Sequence, residues 1–214
     1  MPRIIETVVY AIEELSETAK EGARTWYRGT CLEHEWYDAV FEDFETVCRL
    51  LGVTLRTSPV RLMGGGTRDA AHIFFRGFWS QGDGACFEGS FGHAKGAPKA
   101  IRSHAPTDTE LHRIADVLRA MQQRNFYELL ADVRHRGHYC HEHCMAIAVE
   151  RDSPTGQEIT DDAVDTVAEA LRDLARWLYR ALEREYEYFT SDAAVDEAIA
   201  VNGWTFTADG EHFG

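Results

Sequence analysis

Positive charge is scarce in this 214-residue chain. Lys plus Arg number 22 against 36 Asp plus Glu, a net charge of −14. Such a chain is repelled by phosphate backbones and anionic lipid, which argues against direct nucleic-acid or membrane binding. Long apolar runs are missing too, since no stretch approaches the roughly 20 residues of a membrane span. The opening MPRIIETVVYAIEELSETAK breaks its apolar run with acids, so no secretory signal is expected. There is no linker rich in Pro or Ser, no internal repeat and no low-complexity segment, and one domain over 1–214 is expected. The five cysteines (31, 48, 86, 140 and 144) are odd in number and unevenly spaced. Reduced thiols in a cytoplasm are the simplest reading.

What is present is periodicity. Apolar residues at spacings of three and four predict helices over about 4–27, 33–51, 108–134 and 160–188, with a short one near 191–201. The helix at 33–51 carries the clearest apolar face, through Trp36, Tyr37, Val40, Phe41, Phe44, Val47, Cys48 and Leu51, and Gly52 ends it. VTLRT and VRLM read as short strands, MGGGTRD as a flexible loop, and GHAKGAPKAIRSHAPTD as a loop with room for a helical turn. AHIFFRGFW and ACFEGSF, joined by SQGDG, make a hairpin signal. HYCHEHCMAIAVERD reads as one long strand, and WTFT as a small one. Strands grouped together predict an α+β fold: an antiparallel sheet of about four to six short strands packed against several helices, one of them long and near the C-terminus.

Four constellations are candidates for chemistry. The first is Cys86, in QGDGAC. A nucleophilic cysteine needs a helix N-terminus or a paired His to depress its pKa. FEGSFG follows instead, so Cys86 is expected to be a strand residue beside Phe75 or Phe78. Next, HRGHYCHEHC (135–144) is dense in zinc-type ligands, and on a strand His141 and His143 would share a face. Completing a site there needs ligands from elsewhere, such as His72 or His93, and no metal or other cofactor is expected. The glycine-rich loop at 63–69 leads into a strand and lacks the Lys-Ser/Thr ending of a phosphate-binding loop. Acids, finally, form helix stripes: Glu13, Glu14, Glu17 and Glu21; Glu35, Asp38, Glu42 and Glu45; Asp161, Asp162, Asp165 and Glu169. The arginines 172, 176, 180 and 184, beside Glu169, Asp173, Glu183 and Glu187, read as a solvated ion-pair ladder.

FWSQGDGACFEG, followed by KAIRSHAP, ELHRIAD, NFYELLADVRHRGHYCHE, VERDSP and EALRDLARWLYRALEREYEY, resembles a family of small acidic proteins of phages and prophages. Its members are commonly labelled antitoxin of a toxin–antitoxin stability system. The resemblance runs from about residue 15 to 210. It transfers no catalytic residue and implies a phage-borne protein acting in the host cytoplasm.

Charge and resemblance together lead to an expected role. This is a non-enzymatic, anti-CRISPR-like inhibitor whose acidic stripes at 35/38/42/45 and 161/162/165/169 dock on the basic surface of a host defence protein, with Trp79 and Trp204 as aromatic anchors. An antitoxin neutralising a cognate toxin is the second reading. A thiol-dependent enzyme through Cys86, or a zinc-dependent one through His141 and His143, is the third. A homodimer is left open.

Overall fold

The computed structural model describes residues 6–31 and 36–214. It is an α+β protein with six helices and ten short strands among those residues. Two compact units are distinguished, one made of Met1–Asp38 with Arg184–Gly214, the other of Ala39–Glu183.

In the smaller unit, Ile12–Glu14 form a 3-10 turn and α1 spans Glu17–Thr30. Of the helix expected over 4–27, residues 4 and 5 lie outside the described residues, and among the rest the α-helix starts only at Glu17. Ser16 caps α1 by accepting from the Ala19 amide at 3.3 Å, and Tyr10 before it is extended, paired with Phe206. The N-cap serine was the signal that apolar periodicity hid. α6 (Asp192–Asn202) packs on α1, and β9 (Thr205–Phe206) pairs with β10 (His212–Phe213). Ile12, Ala23, Val195, Ile199 and Phe206 make the buried core, with Trp26 and Trp204 against it. Arg24 grips Asp196 with two hydrogen bonds of 2.8 and 2.7 Å, the fork geometry that suits a carboxylate.

The larger unit holds α2 (from Asp38 to Leu51), α3 (Ala97–His104), α4 (Thr109–Arg124) and most of α5 (Ala163–Thr190). Its main sheet is antiparallel in the order β1–β6–β7–β8, with β1 at Val53–Leu55, β6 at Gly89–Phe91, β7 at Leu129–His135 and β8 at Met145–Arg151. Along β7, buried Leu129, Ala131 and Val133 alternate with more exposed neighbours, so one face is covered and the other wet. Two ribbons extend from this sheet: β2 (Thr57–Arg61) with β3 (Thr67–Ala71), and β4 (Ile73–Arg76) with β5 (Gly84–Phe87). The glycine-rich segment is thus the turn of the β2–β3 hairpin. Phe44 of α2 sits at the centre of the core, 5.5 Å from the Phe87 ring and 6.4 Å from that of Trp177 on α5.

Two expected elements differ. The helix expected to run to 134 stops at Arg124, and Leu129 and Val133 belong to a central strand. Asn125 ends the helix and lies fully buried; its amide donates to the Met121 carbonyl and the Thr160 hydroxyl, while its oxygen accepts from the Thr160 amide. Phe126 and Tyr127 then turn the chain at φ of 56° and 65°. The spacing of Leu129 and Val133 fits a helix as well as alternate strand positions, so periodicity misled. The segment GHAKGAPKAIRSHAPTD contains a full two-turn helix, α3.

Candidate functional site

The GFWSQGDGACFEG motif is a hairpin. Phe74 lies opposite Cys86 and Phe75 opposite Ala85 across β4 and β5. Its loop is tightly specified. The Asp83 carboxylate accepts from the Trp79 amide at 2.9 Å and the Ser80 amide at 2.6 Å. Gly82 has φ +88°, and a Cβ there would come 2.0 Å from the Tyr139 ring. At Gly84 a Cβ would meet the Cys140 carbonyl at 2.6 Å. The loop therefore packs against 139–141 with no room for side chains at those two positions, and it presents the Trp79 side chain, 80% exposed, to solvent.

Cys86 is fully buried on β5. Burial pushes its thiol well above the ordinary range, and the nearby Cys140 and Cys144 push it the same way. A thiolate, the form that attacks carbonyls, is disfavoured there.

The histidine-rich segment corrects the expected long strand. Only Met145–Arg151 is strand; Glu142–Cys144 form a 3-10 turn that His141 caps, its Nδ1 accepting from the His143 amide at 3.2 Å. His141 and His143 therefore share no strand face, and their rings lie 5.9 Å apart. Cys144 Sγ sits 3.5 Å from His141 Nε2. The helpers expected from elsewhere are engaged differently, His72 with Ser58 and Glu88, His93 with the Tyr127 ring. No group of three or more metal-type side chains gathers among the described residues.

The acidic stripes separate into two kinds. Asp161, Asp162, Asp165 and Glu169 are all exposed, at and after the start of α5. Asp162, however, binds Arg124 at 2.6 Å, and Glu169 binds Arg172 and Arg176. Those arginines hold both carboxyls below the ordinary range. Glu42 and Glu45 of α2 are exposed with no ion pair among the described residues, as are Asp161 and Asp165. Asp38, exposed, opens α2 in the other unit, and Glu35 lies outside the described residues. The ladder on α5 holds for Arg172, Arg176 and Arg180, the last reaching Glu110 on α4.

One arrangement was invisible in the sequence. Arg56, His72 and Glu88 are each the single residue between two strands: β1 and β2, β3 and β4, β5 and β6. Their backbones close a ring, with the Arg56 amide donating to Glu88 (2.9 Å), Glu88 to His72 (2.9 Å) and His72 to Arg56 (2.7 Å). Here every strand changes partner, and three ribbons meet. Side chains follow the backbones. His72 Nδ1 lies 2.7 Å from Glu88 Oε2, and His72 Nε2 lies 2.6 Å from Ser58 Oγ. Glu88 also accepts from the His135 amide at 3.0 Å, and Arg56 stands 3.8 Å away. Burial works to raise the Glu88 carboxyl, but the His72 and His135 hydrogen bonds and the Arg56 charge outweigh it and hold it below the ordinary range.

Serine, histidine and carboxylate stand in the order of a nucleophile, its base and the base's orienter. The residue after Ser58 is Pro59, which has no amide to offer an oxyanion. The trio ties together the three crossing backbones, and that structural role accounts for its geometry.

A cavity of about 500 Å³ opens between the end of α2, the β6–α3 connection and α4, with His93, Lys95, Lys99, Arg119 and Tyr127 around it. No helix among the described residues is long and apolar enough to cross a membrane. No curated protein and no solved structure matches the chain. A family described as a domain of unknown function, DUF8835, matches residues 36–192, from before α2 through the whole of α5 and so through the whole ribbon junction. The chain belongs to that family.

Proposed function

We propose that the protein acts by binding, as a non-enzymatic inhibitor that docks on a basic, nucleic-acid-binding surface. The target is a host defence complex, in keeping with the phage setting that the sequence resemblance implies. The observation that carries this reading is the uncompensated negative charge of Glu42 and Glu45 on α2 and of Asp161 and Asp165 by α5, beside carboxylates that arginines neutralise. Free carboxylates on exposed helix turns attract a cationic surface over a Debye length and speed encounter. Trp79, held out by a loop whose backbone is fixed through Asp83, supplies the rigid aromatic that protein interfaces favour as an anchor.

The test is capture of the tagged protein's partners from host lysate at low and moderate salt, with wild type beside Glu42→Lys/Glu45→Lys and Trp79→Ala. A basic defence-complex subunit is expected to be retained by wild type and lost as salt rises. Charge reversal should slow its association about ten-fold or more, an electrostatic steering effect. Retention that neither variant weakens would sink the docking mechanism. Capture of a protein encoded beside this one would favour the antitoxin reading.

A further inference from the structure

The cavity beside α3 gathers cations and has no acid in its lining. The chain has three lysines. Lys20 is paired with Glu17, whereas Lys95 and Lys99 make no ion pair among the described residues, and both line the cavity. Arg119 joins them from α4. The acid one turn before it on that helix, Asp116, is bound by Arg102 at 2.6 Å, and Arg119 makes no ion pair among the described residues. No carboxylate is among the lining residues, in a protein of net charge −14. Three cations around one concavity with no carboxylate in its lining make a local positive field that an anion would complement.

The rest of the lining describes the body of that anion. Leu51, Phe91, Ala115 and Leu118 form a buried apolar floor. The side chain of Gln122, also in the wall, is buried and turned to the backbone, its oxygen accepting from the Leu129 amide and its nitrogen donating to the Leu129 carbonyl. At the mouth the His93 and Tyr127 rings lie 4.5 Å apart. Tyr127 is held there at φ 65°, next to Phe126 at 56°, a conformation bulky residues rarely adopt and one that clusters at binding sites. A cavity of about 500 Å³ falls in the range that takes small organic ligands.

We propose that this cavity binds a nucleoside phosphate. The phosphate is held by Lys95, Lys99 and Arg119, and the base lies on the apolar floor beside the His93 and Tyr127 rings. Three cations around one cavity suit a doubly charged phosphate better than a single carboxylate. An apolar floor of Leu51, Phe91, Ala115 and Leu118 reads the base by its flat face and not by its edges, so purines and pyrimidines are bound alike. The site shares no residue with the acidic stripes or with Trp79 and stands independently of the docking role.

The experiment is titration calorimetry of the full chain with AMP, GMP and UMP, alongside adenosine, inorganic phosphate and octanoate. The three nucleotides are expected to bind within about three-fold of one another, and more weakly as salt rises. Adenosine and inorganic phosphate, each carrying half of the recognition, should bind at least about ten-fold more weakly. Lys95→Glu/Lys99→Glu should abolish nucleotide binding with the unfolding midpoint of the free protein unchanged. Tyr127→Gly, which suits the positive φ and removes the ring, should weaken nucleotides while leaving inorganic phosphate as it was. No heat from any nucleotide at millimolar concentration, octanoate or inorganic phosphate binding as tightly as AMP, or full binding by the double lysine variant would each overturn the proposal.

Discussion

His72 Nδ1 stands 2.7 Å from Glu88 Oε2, sixteen residues away in the chain. A carboxylate only accepts, so Nδ1 carries the hydrogen, and in the neutral ring Nε2 accepts from the Ser58 hydroxyl. One imidazole thereby spans two of the ribbons that meet at the junction. His72→Ala leaves the Glu88 oxygen and the Ser58 hydroxyl without this partner. It should cost about 1–3 kcal/mol in chemical denaturation, the range for stranding a partly buried polar group. A loss within experimental error would show that water replaces the ring.

The same contact gives a pH signature. The Glu88 carboxyl is held below its unfolded value, so its stabilisation is complete above the ordinary glutamate pKa, about 4.3. It is lost as pH falls from there through the lower folded value. Denaturant midpoints for wild type and Glu88→Gln, followed from pH 7 down to 3, should differ most at neutral pH and converge toward acid. A gap that is independent of pH would mean that the carboxylate charge is not what holds the junction.

The glycines of the Trp79 loop should respond unequally to alanine. At Gly84 the obstructing atoms include the Cys140 carbonyl and the His141 backbone, which cannot swing away. At Gly82 the obstruction is the Tyr139 ring, which can, although φ +88° adds strain. Gly84→Ala is expected to lower stability by about 1–3 kcal/mol through overpacking. Thermal melts of the two variants compare them directly, with Gly84→Ala the lower.

Asn125 replaces backbone pairing at a place where helix turns into strand. Asn125→Ala removes the acceptor of the Thr160 amide (3.1 Å) and the donor to Met121 (3.0 Å) in a fully buried position. A destabilisation of about 1–3 kcal/mol is expected, measured by urea unfolding. Asn125→Asp keeps the acceptor but buries a charge, and should fare no better.

The thiols should react in two classes. Cys48 and Cys86 are buried, whereas Cys31, Cys140 and Cys144 are partly exposed; burial pushes the thiols of Cys31, Cys48, Cys86 and Cys140 up, so access sets the two classes apart. Alkylation of the folded protein at neutral pH, mapped by mass spectrometry, should modify the second group and spare the first until denaturant is added. Rapid labelling of Cys86 in the native state would contradict its place in the core and reopen the thiol-enzyme reading.

Short-range patterns along the chain suffice for elements that local spacing can encode. Val47, Cys48 and Leu51 recur on one side of α2, and Val167, Leu171, Leu174 and Leu178 on one side of α5, because a helix repeats every 3.6 residues whatever surrounds it. Two aromatic runs about a polar loop likewise predicted the β4–β5 hairpin. Features that depend on residues distant in the chain emerge only once the elements pack. Leu129 and Val133 became strand because Asn125 and Gln122 end the helix through bonds to Thr160 and Leu129. Asp162 and Glu169 lost their free charge to arginines 38 residues away on α4 and one or two turns on along α5. Ser58, His72 and Glu88 read as unrelated loop and strand residues until three ribbons cross, and Lys95, Lys99 and Arg119 until α3 and α4 enclose a cavity. Periodicity records which side of an element is apolar. It holds no record of which elements meet, and sites are made where they do.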